Sequence, residues 1–375
     1  MLFSLSAVWH HDISQNFVPH SQGTSSKESG YFNFTYLSLN EYEYFIPERK
    51  DIDMSKHRQR LKVIATADLL AMGSMHMINQ MVSASAVLKN ILKPGVGSYY
   101  HWKTGDVFFR AEGNGAPLLL IHDLTTASSS YEWSELEEKL KADYTVYTLD
   151  LPGCGRSDKP GITYTNYLYV QLVSDFIRDI IGEAASVAVT GLSSSFVIMA
   201  AYQDPSLFRQ LMLINPVSLA RLDHIPNRKS KIIRSIMEIP IIGTTIYYIK
   251  SCHQNIEYNL TEKYVFNPFR IPQRHIDAYY EAAHRKAGGG KYLQASLDGF
   301  YLNVNLRRAL PSLKVPVSII YGEKTETGKE IAECYRRLNP AFHVTSIYGT
   351  KLLPQLETPE EMLTQIQKYL PSRQL

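Results

Sequence analysis

Val187-Ala-Val-Thr-Gly-Leu-Ser-Ser-Ser-Phe196 is the stretch that decides the fold. A run of apolar and β-branched residues stops at Gly191. A serine follows two residues later, at Ser193, and a helical pattern begins at once. A strand that feeds straight into a helix through so tight a turn tolerates only small neighbours, and Gly191 and Ser195 meet that need. A serine in such a turn presents its hydroxyl above the end of a sheet, so Ser193 is the candidate nucleophile. The same letters also fit a serine-rich helix cap, which carries no chemistry.

Working outward, Leu118-Leu-Leu-Ile-His-Asp-Leu124 reads as a buried strand ending in His122, and Asp150-Leu-Pro-Gly-Cys-Gly-Arg-Ser-Asp158 follows the next strand. Strands are predicted over 106–111, 117–121, 144–149, 186–190, 210–214, 315–321 and 343–348. Helices are predicted over 130–141, 167–181, 194–202, 329–338 and 359–370. Runs such as Val187-Ala-Val-Thr190 suit strands buried on both faces. Alternating β and α elements imply a mostly parallel sheet covered by helices, an α/β fold. From 217 to 313 the pattern turns helical and aromatic (Tyr247, Tyr248, Tyr264, Phe266) and reads as a cap inserted between two strands. The expected division is a core of 98–216 and 314–375, a cap of 217–313, a helical segment of 54–97 and an extension of 1–53.

In these motifs the chain resembles the α/β-hydrolase superfamily. Members carry a strand ending in His-Gly, then Asp-x-Pro-Gly-x-Gly-x-Ser, then G-x-S-x-G, in this order and at similar spacing. The resemblance covers roughly residues 98–372 and includes Pro354-Gln-Leu-Glu-Thr-Pro359 in the last loop and helix. It implies a serine nucleophile, here Ser193, an acid after the strand that follows the cap, and a histidine near the C-terminus. The acid position falls on Thr325 of Gly322-Glu-Lys-Thr-Glu326, with Glu326 and Glu323 nearby. The histidine position falls on Leu352. A serine without a base in reach is a poor nucleophile. The implied oxyanion donors are the backbone N–H groups of Leu124 and Ser194. His122-Asp123 replaces His-Gly, and an inward Asp123 carboxylate there opposes a developing oxyanion. His224, His253, His275 and His284 lie in the cap, and His284 is the alternative base. Two functions follow: a serine hydrolase acting on a small apolar ester or amide with a non-standard base, or a non-catalytic descendant that binds a small apolar ligand or a partner.

Apolar residues make up 45% of the 375 and charged residues 20%, which excludes wholesale disorder. Thirty-nine Lys and Arg against 36 Asp and Glu, well dispersed, give no nucleic-acid face. Cys154, Cys252 and Cys334 are too scattered for a disulfide framework or a zinc site, and a cytoplasmic setting fits. No phosphate-binding loop, dinucleotide motif or metal-ligand cluster occurs, so no cofactor is expected. No run of 18 purely apolar residues exists, which excludes a polytopic membrane protein. Residues 1–53 mix polar clusters with aromatics. Met54 opens a basic run before an apolar stretch, Val63–Leu88, so Met54 is the expected native start. That stretch fits a membrane anchor, or an amphipathic helix on the domain or a membrane surface, with Ile64, Ala71, Met75, Ile78 and Val82 on one face.

Overall fold

The computed structural model describes residues 54–93 and 95–372. The expectations for residues 1–53 lie outside them. The fold belongs to the compact unit from Arg58 onward. A long helix, α1 (Met54–Ala86), precedes strands β1 (Ser98–Trp102), β2 (Gly105–Glu112) and β3 (Ala116–Ile121). Then come α2 (Ser134–Leu140), β4 (Tyr144–Leu149), α3 (Asn166–Phe176), β5 (Ala185–Thr190), α4 (Ser193–Gln203) and β6 (Phe208–Ile214). An insert holds α5 (Leu219–Leu222), α6 (Arg228–Glu238), α7 (Ile242–Lys250), α8 (His253–Tyr258), α9 (Gln273–His284) and α10 (Gly290–Asp298). The chain closes with β7 (Val317–Gly322), α11 (Gly328–Leu338), β8 (His343–Ile347), α12 (Pro354–Glu357) and α13 (Pro359–Tyr369).

The strands form one eight-stranded sheet in the order β1-β2-β4-β3-β5-β6-β7-β8. Only β1–β2 and β2–β4 pair antiparallel; the remaining pairs are parallel. Every residue of β5 is buried. Alternation along the strands sends Leu119, Ile121, Val187 and Val189 to one face with Phe176 and Phe196. It sends Leu118, Leu120, Ala188 and Met212 to the other face with Trp133 and Ile366. Burying each large aliphatic side chain contributes about 1.5–3 kcal/mol, so this double-faced core is the main source of stability. β1 escaped the sequence reading because it lies at the sheet edge and buries only Trp102, leaving no alternation to detect.

The Asp150–Ser157 motif is structural. The buried Asp150 carboxylate accepts hydrogen bonds from the backbone N–H of Ser130 (2.8 Å), the backbone N–H of Arg156 (2.7 Å) and Arg156 Nε (2.6 Å). Burial would raise the Asp150 carboxyl, but the Arg156 charge outweighs it and holds it well below the usual carboxylate range. Gly155 sits at φ +46°, and any side chain there would strike that carboxylate. Arg156 also donates to the Leu92 carbonyl (2.9 Å), which ties the segment after α1 to the core.

The expected apolar stripe on α1 is not a core face: Ile64 and Ile78 are exposed, while Val82 packs beside Tyr247 and Tyr248 of α7. Among the described residues, the contacts of α1 with the domain come from its C-terminal end. Asn79 Nδ2 donates to Thr245 Oγ1 (3.0 Å), and Ser83 Oγ donates to the His284 carbonyl (3.1 Å).

Candidate functional site

β5 ends at Thr190 and α4 begins at Ser193, so the chain turns over Gly191 and Leu192. Gly191 takes φ +56°, the left-handed region that favours glycine, and is the apex of this strand-to-helix turn. Ser193, expected from sequence as the nucleophile, lies beyond the apex in the first turn of α4. It is fully buried, and its hydroxyl donates to the His122 carbonyl (2.7 Å). Among the described residues it has no basic nitrogen as partner.

A pocket of about 330 Å³ opens over the turn, and Gly191, Leu192, Asp123 and Leu124 line it. Two backbone N–H groups converge there: Leu124 N and Leu192 N. Both are taken by one atom, Asp123 Oδ1, at 2.7 and 2.8 Å. A Cβ placed on Gly191 would collide with Asp123 Oδ1, Cγ and Oδ2. The Asp123 carboxylate therefore fills both the space over the turn apex and the converging donor pair. Leu124 was expected as a donor and does point here. Ser194 was expected as the second, but its N–H is turned to the Gly191 carbonyl (3.2 Å), and the second donor is Leu192.

Thr325 and Leu352, expected at the acid and histidine positions, both line this pocket together with Gly191 and Leu192. The Thr325 hydroxyl has no hydrogen-bond partner. Leu352 is held by its backbone: its N–H donates to the Tyr264 carbonyl (2.8 Å), and its carbonyl accepts from Asn215 Nδ2 (3.0 Å). Asn215, at φ +46° after β6, also accepts from Gly322 N–H (3.0 Å) through Oδ1 and so ties the β7 and β8 loops together. Glu326 and Glu323 point to solvent rather than into the pocket, and Glu323 pairs with Lys324.

No histidine lines this pocket among the described residues. His284, the alternative base, is buried elsewhere, between Tyr248 and Tyr280, with Nδ1 bonded to the Tyr280 carbonyl (2.8 Å). Burial lowers its pKa to about 4. His275 bonds the Tyr131 hydroxyl (2.9 Å), and His224 and His253 belong to other surfaces. Cys154 is buried and donates to the Thr125 carbonyl (3.2 Å); burial pushes its thiol up, away from a reactive thiolate.

The model of the alpha/beta hydrolase family matches residues 118–365. The chain belongs to that family. The match includes the β5–α4 turn, the insert and the last helices. An uncharacterised protein of Mycobacterium tuberculosis (strain H37Rv) is 32% identical over 107 residues, 28% of this chain and 31% of that relative. The chain thus spans about a third of the length of that curated relative. Among solved structures, E-2-(acetamidomethylene)succinate hydrolase superposes with a TM-score of 0.55 at 20% identity, covering 73% of this chain and 98% of that one. The carboxylesterase CesB of Bacillus subtilis gives 0.56 at 16%, covering 80% and 100%. A bacterial membrane phospholipase A gives 0.59 at 19%, covering 84% and 98%. At such identities these likenesses speak for the fold.

The charged groups that line this pocket are Asp123, Glu132 and Arg221. Glu132 Oε2 accepts from Asp123 N–H (3.0 Å) and from the Thr190 hydroxyl (3.2 Å). Burial, and then the Asp123 charge, raise the Glu132 carboxyl to about 7. Burial raises Asp123 as well, against the pull of the Leu192 and Leu124 N–H groups and of Arg221. His122 donates from Nδ1 to the Asp123 carbonyl (2.6 Å) and accepts from Leu151 N–H (3.0 Å) at Nε2. That pattern fixes its neutral form, and burial lowers its pKa to about 4. The inward Asp123 carboxylate is the feature of this site that has the fewest signals in the sequence. Its signals were His-Asp in place of His-Gly, and a strand whose next residue is glycine.

Proposed function

We propose that this chain is a non-hydrolytic member of the family that uses its pocket to bind a small, largely apolar ligand. In this reading Gly191 holds the nucleophile position, Thr325 the acid position and Leu352 the histidine position, so none of the three carries its chemistry. Ser193 then stands two residues past the apex, where the turn requires a small side chain. The single observation that carries the reading is the Asp123 carboxylate over Gly191, bonded to both Leu124 N–H and Leu192 N–H. A tetrahedral intermediate needs those donors for its own negative oxygen. A fixed anion in their place withdraws them and repels the developing charge.

The pocket keeps what binding needs. It mixes apolar walls (Leu352, Leu353, Tyr264) with polar groups, and the hydroxyls of Thr325 and Tyr279 are unpartnered. We further propose that α1 associates the protein with a membrane. Apolar side chains leave α1 in several directions, as Val63-Ile64, Leu69-Leu70 and Met77-Ile78 do, and all six are exposed. Exposed apolar side chains on more than one face of a helix match a bilayer better than the surface of a soluble domain.

The test is p-nitrophenyl butyrate, followed both for p-nitrophenolate release and for binding by calorimetry. Saturable binding with release at the buffer rate is expected, and Leu352→Trp, which fills the pocket, should abolish the binding. Release that saturates with ester and disappears in Leu352→Trp overturns the proposal.

A further inference from the structure

α6 is built inside out for a soluble helix. Ser230 and Met237 are its buried side chains, whereas Ile232, Ile236 and, just past its end, Ile239 follow one another at helical spacing and are exposed. The chain then bends sharply into α7, where Ile242 and Ile249 are exposed as well. Five exposed isoleucines thus fall on α6, α7 and the bend between them, and exposed apolar surface of this kind marks an interaction site.

Two further features say what covers it. The first is charge. Arg228, Lys229 and Lys231 are exposed at the start of α6, while the nearby acids are already engaged: Glu238 accepts from Arg234 Nε (2.6 Å) and Asp223 pairs with Arg307 (2.9 Å). The uncompensated charge around the isoleucines is positive. The second is continuity. Asn79 of α1 donates to Thr245 Oγ1 (3.0 Å) and to the Ile241 carbonyl (3.3 Å), which sets α1 directly against the α6–α7 corner. Met77, Ile78 and Met81 flank that contact and are exposed.

We propose that the α6–α7 corner is a second bilayer contact, seated on the anionic headgroups and upper acyl region of the leaflet from which α1 emerges. The inference rests on the anchor reading of α1. The isoleucines enter the interface, and Arg228, Lys229 and Lys231 meet lipid phosphates. The corner then fixes the orientation of the domain, where α1 alone would leave it free to swing.

The test uses the full chain with Cys252→Ser and Cys334→Ser, carrying a polarity-sensitive nitrobenzoxadiazole label at Ile236→Cys. Glu138→Cys, exposed on α2 of the core, is the reference position. Each is mixed with vesicles of equal parts phosphatidylcholine and phosphatidylglycerol and with vesicles of phosphatidylcholine alone. The expected result is co-sedimentation with a blue shift and brightening at position 236, strongest on the anionic vesicles, and a water-like spectrum at position 138. Combined Arg228→Gln, Lys229→Gln and Lys231→Gln should lose the anionic preference. Co-sedimentation with a water-like label at 236 overturns the inference and leaves the anchor standing. Failure to co-sediment refutes both. A shift that grows with protein concentration in the absence of vesicles overturns it in favour of contact between copies of this chain.

Discussion

Gly191→Ala probes the carboxylate plug directly. Alanine at φ +56° costs about 1–2 kcal/mol in backbone strain. Its Cβ also collides with the Asp123 carboxylate, which must leave Leu124 N–H and Leu192 N–H. Each hydrogen bond to a charged group is worth about 1.5–3 kcal/mol, and the displaced carboxylate recovers part of this by turning into the open pocket. The net loss should be at least about 3 kcal/mol, the strain and the lost bonds together. In an Asp123→Gly background the collision is gone, and the same substitution should cost only the strain, about 1–2 kcal/mol. Urea unfolding of the four proteins in the cycle measures the coupling, which should reach about 2 kcal/mol, within the range for side chains in contact. Additive costs, or a neutral Gly191→Ala in the native background, would refute the placement of Asp123.

Other consequences follow from the same geometry. Ser193→Ala should lose about 1 kcal/mol of stability, the worth of its bond to the His122 carbonyl, and leave ligand binding unchanged by calorimetry. Thr325→Asp with Leu352→His should stay inert toward a fluorophosphonate, because the apex is still glycine and the donors are still occupied. Adding Gly191→Ser and Asp123→Gly should yield a probe adduct at residue 191, mapped by peptide mass spectrometry. Glu132 has a folded pKa of about 7, above its unfolded value, so it keeps its proton on folding and its burial weighs against stability as pH rises from about 4.5 to 7. Glu132→Gln should therefore gain on the native protein across that window, by up to about 3 kcal/mol, and plateau above it. His122, His275 and His284 act in the opposite sense. Their folded pKa values are lowered to about 4, so the stability they contribute is full above about 6.5 and is lost as pH falls toward 4. Comparing the Gln variant with the native protein at each pH separates the two effects.

Strand alternation and strand-to-helix spacing made the parallel sheet legible, because a strand such as β5, buried on both faces, has nowhere to put a polar residue. That Thr325 and Leu352 come to one pocket was legible for a similar reason: each stands in the loop after a strand, β7 and β8. The turn apex was not. Ser193 and Gly191 differ by two residues, and only the backbone dihedral shows which one takes the left-handed conformation. The role of Asp123 depended on where one carboxylate points, a matter of packing among β3, β5 and the insert that no local pattern encodes. The edge strand β1 and the outward isoleucines of α6 went unseen because burial, rather than composition, defines them.

The most direct measurement is intact mass spectrometry of the native full chain after exposure to a fluorophosphonate, with Ser193→Ala alongside. No adduct is expected on folded protein, since Ser193 is buried against the His122 carbonyl and the N–H pair over Gly191 is filled. A stoichiometric adduct on the native chain that disappears in Ser193→Ala would contradict this reading and return Ser193 to the role of nucleophile.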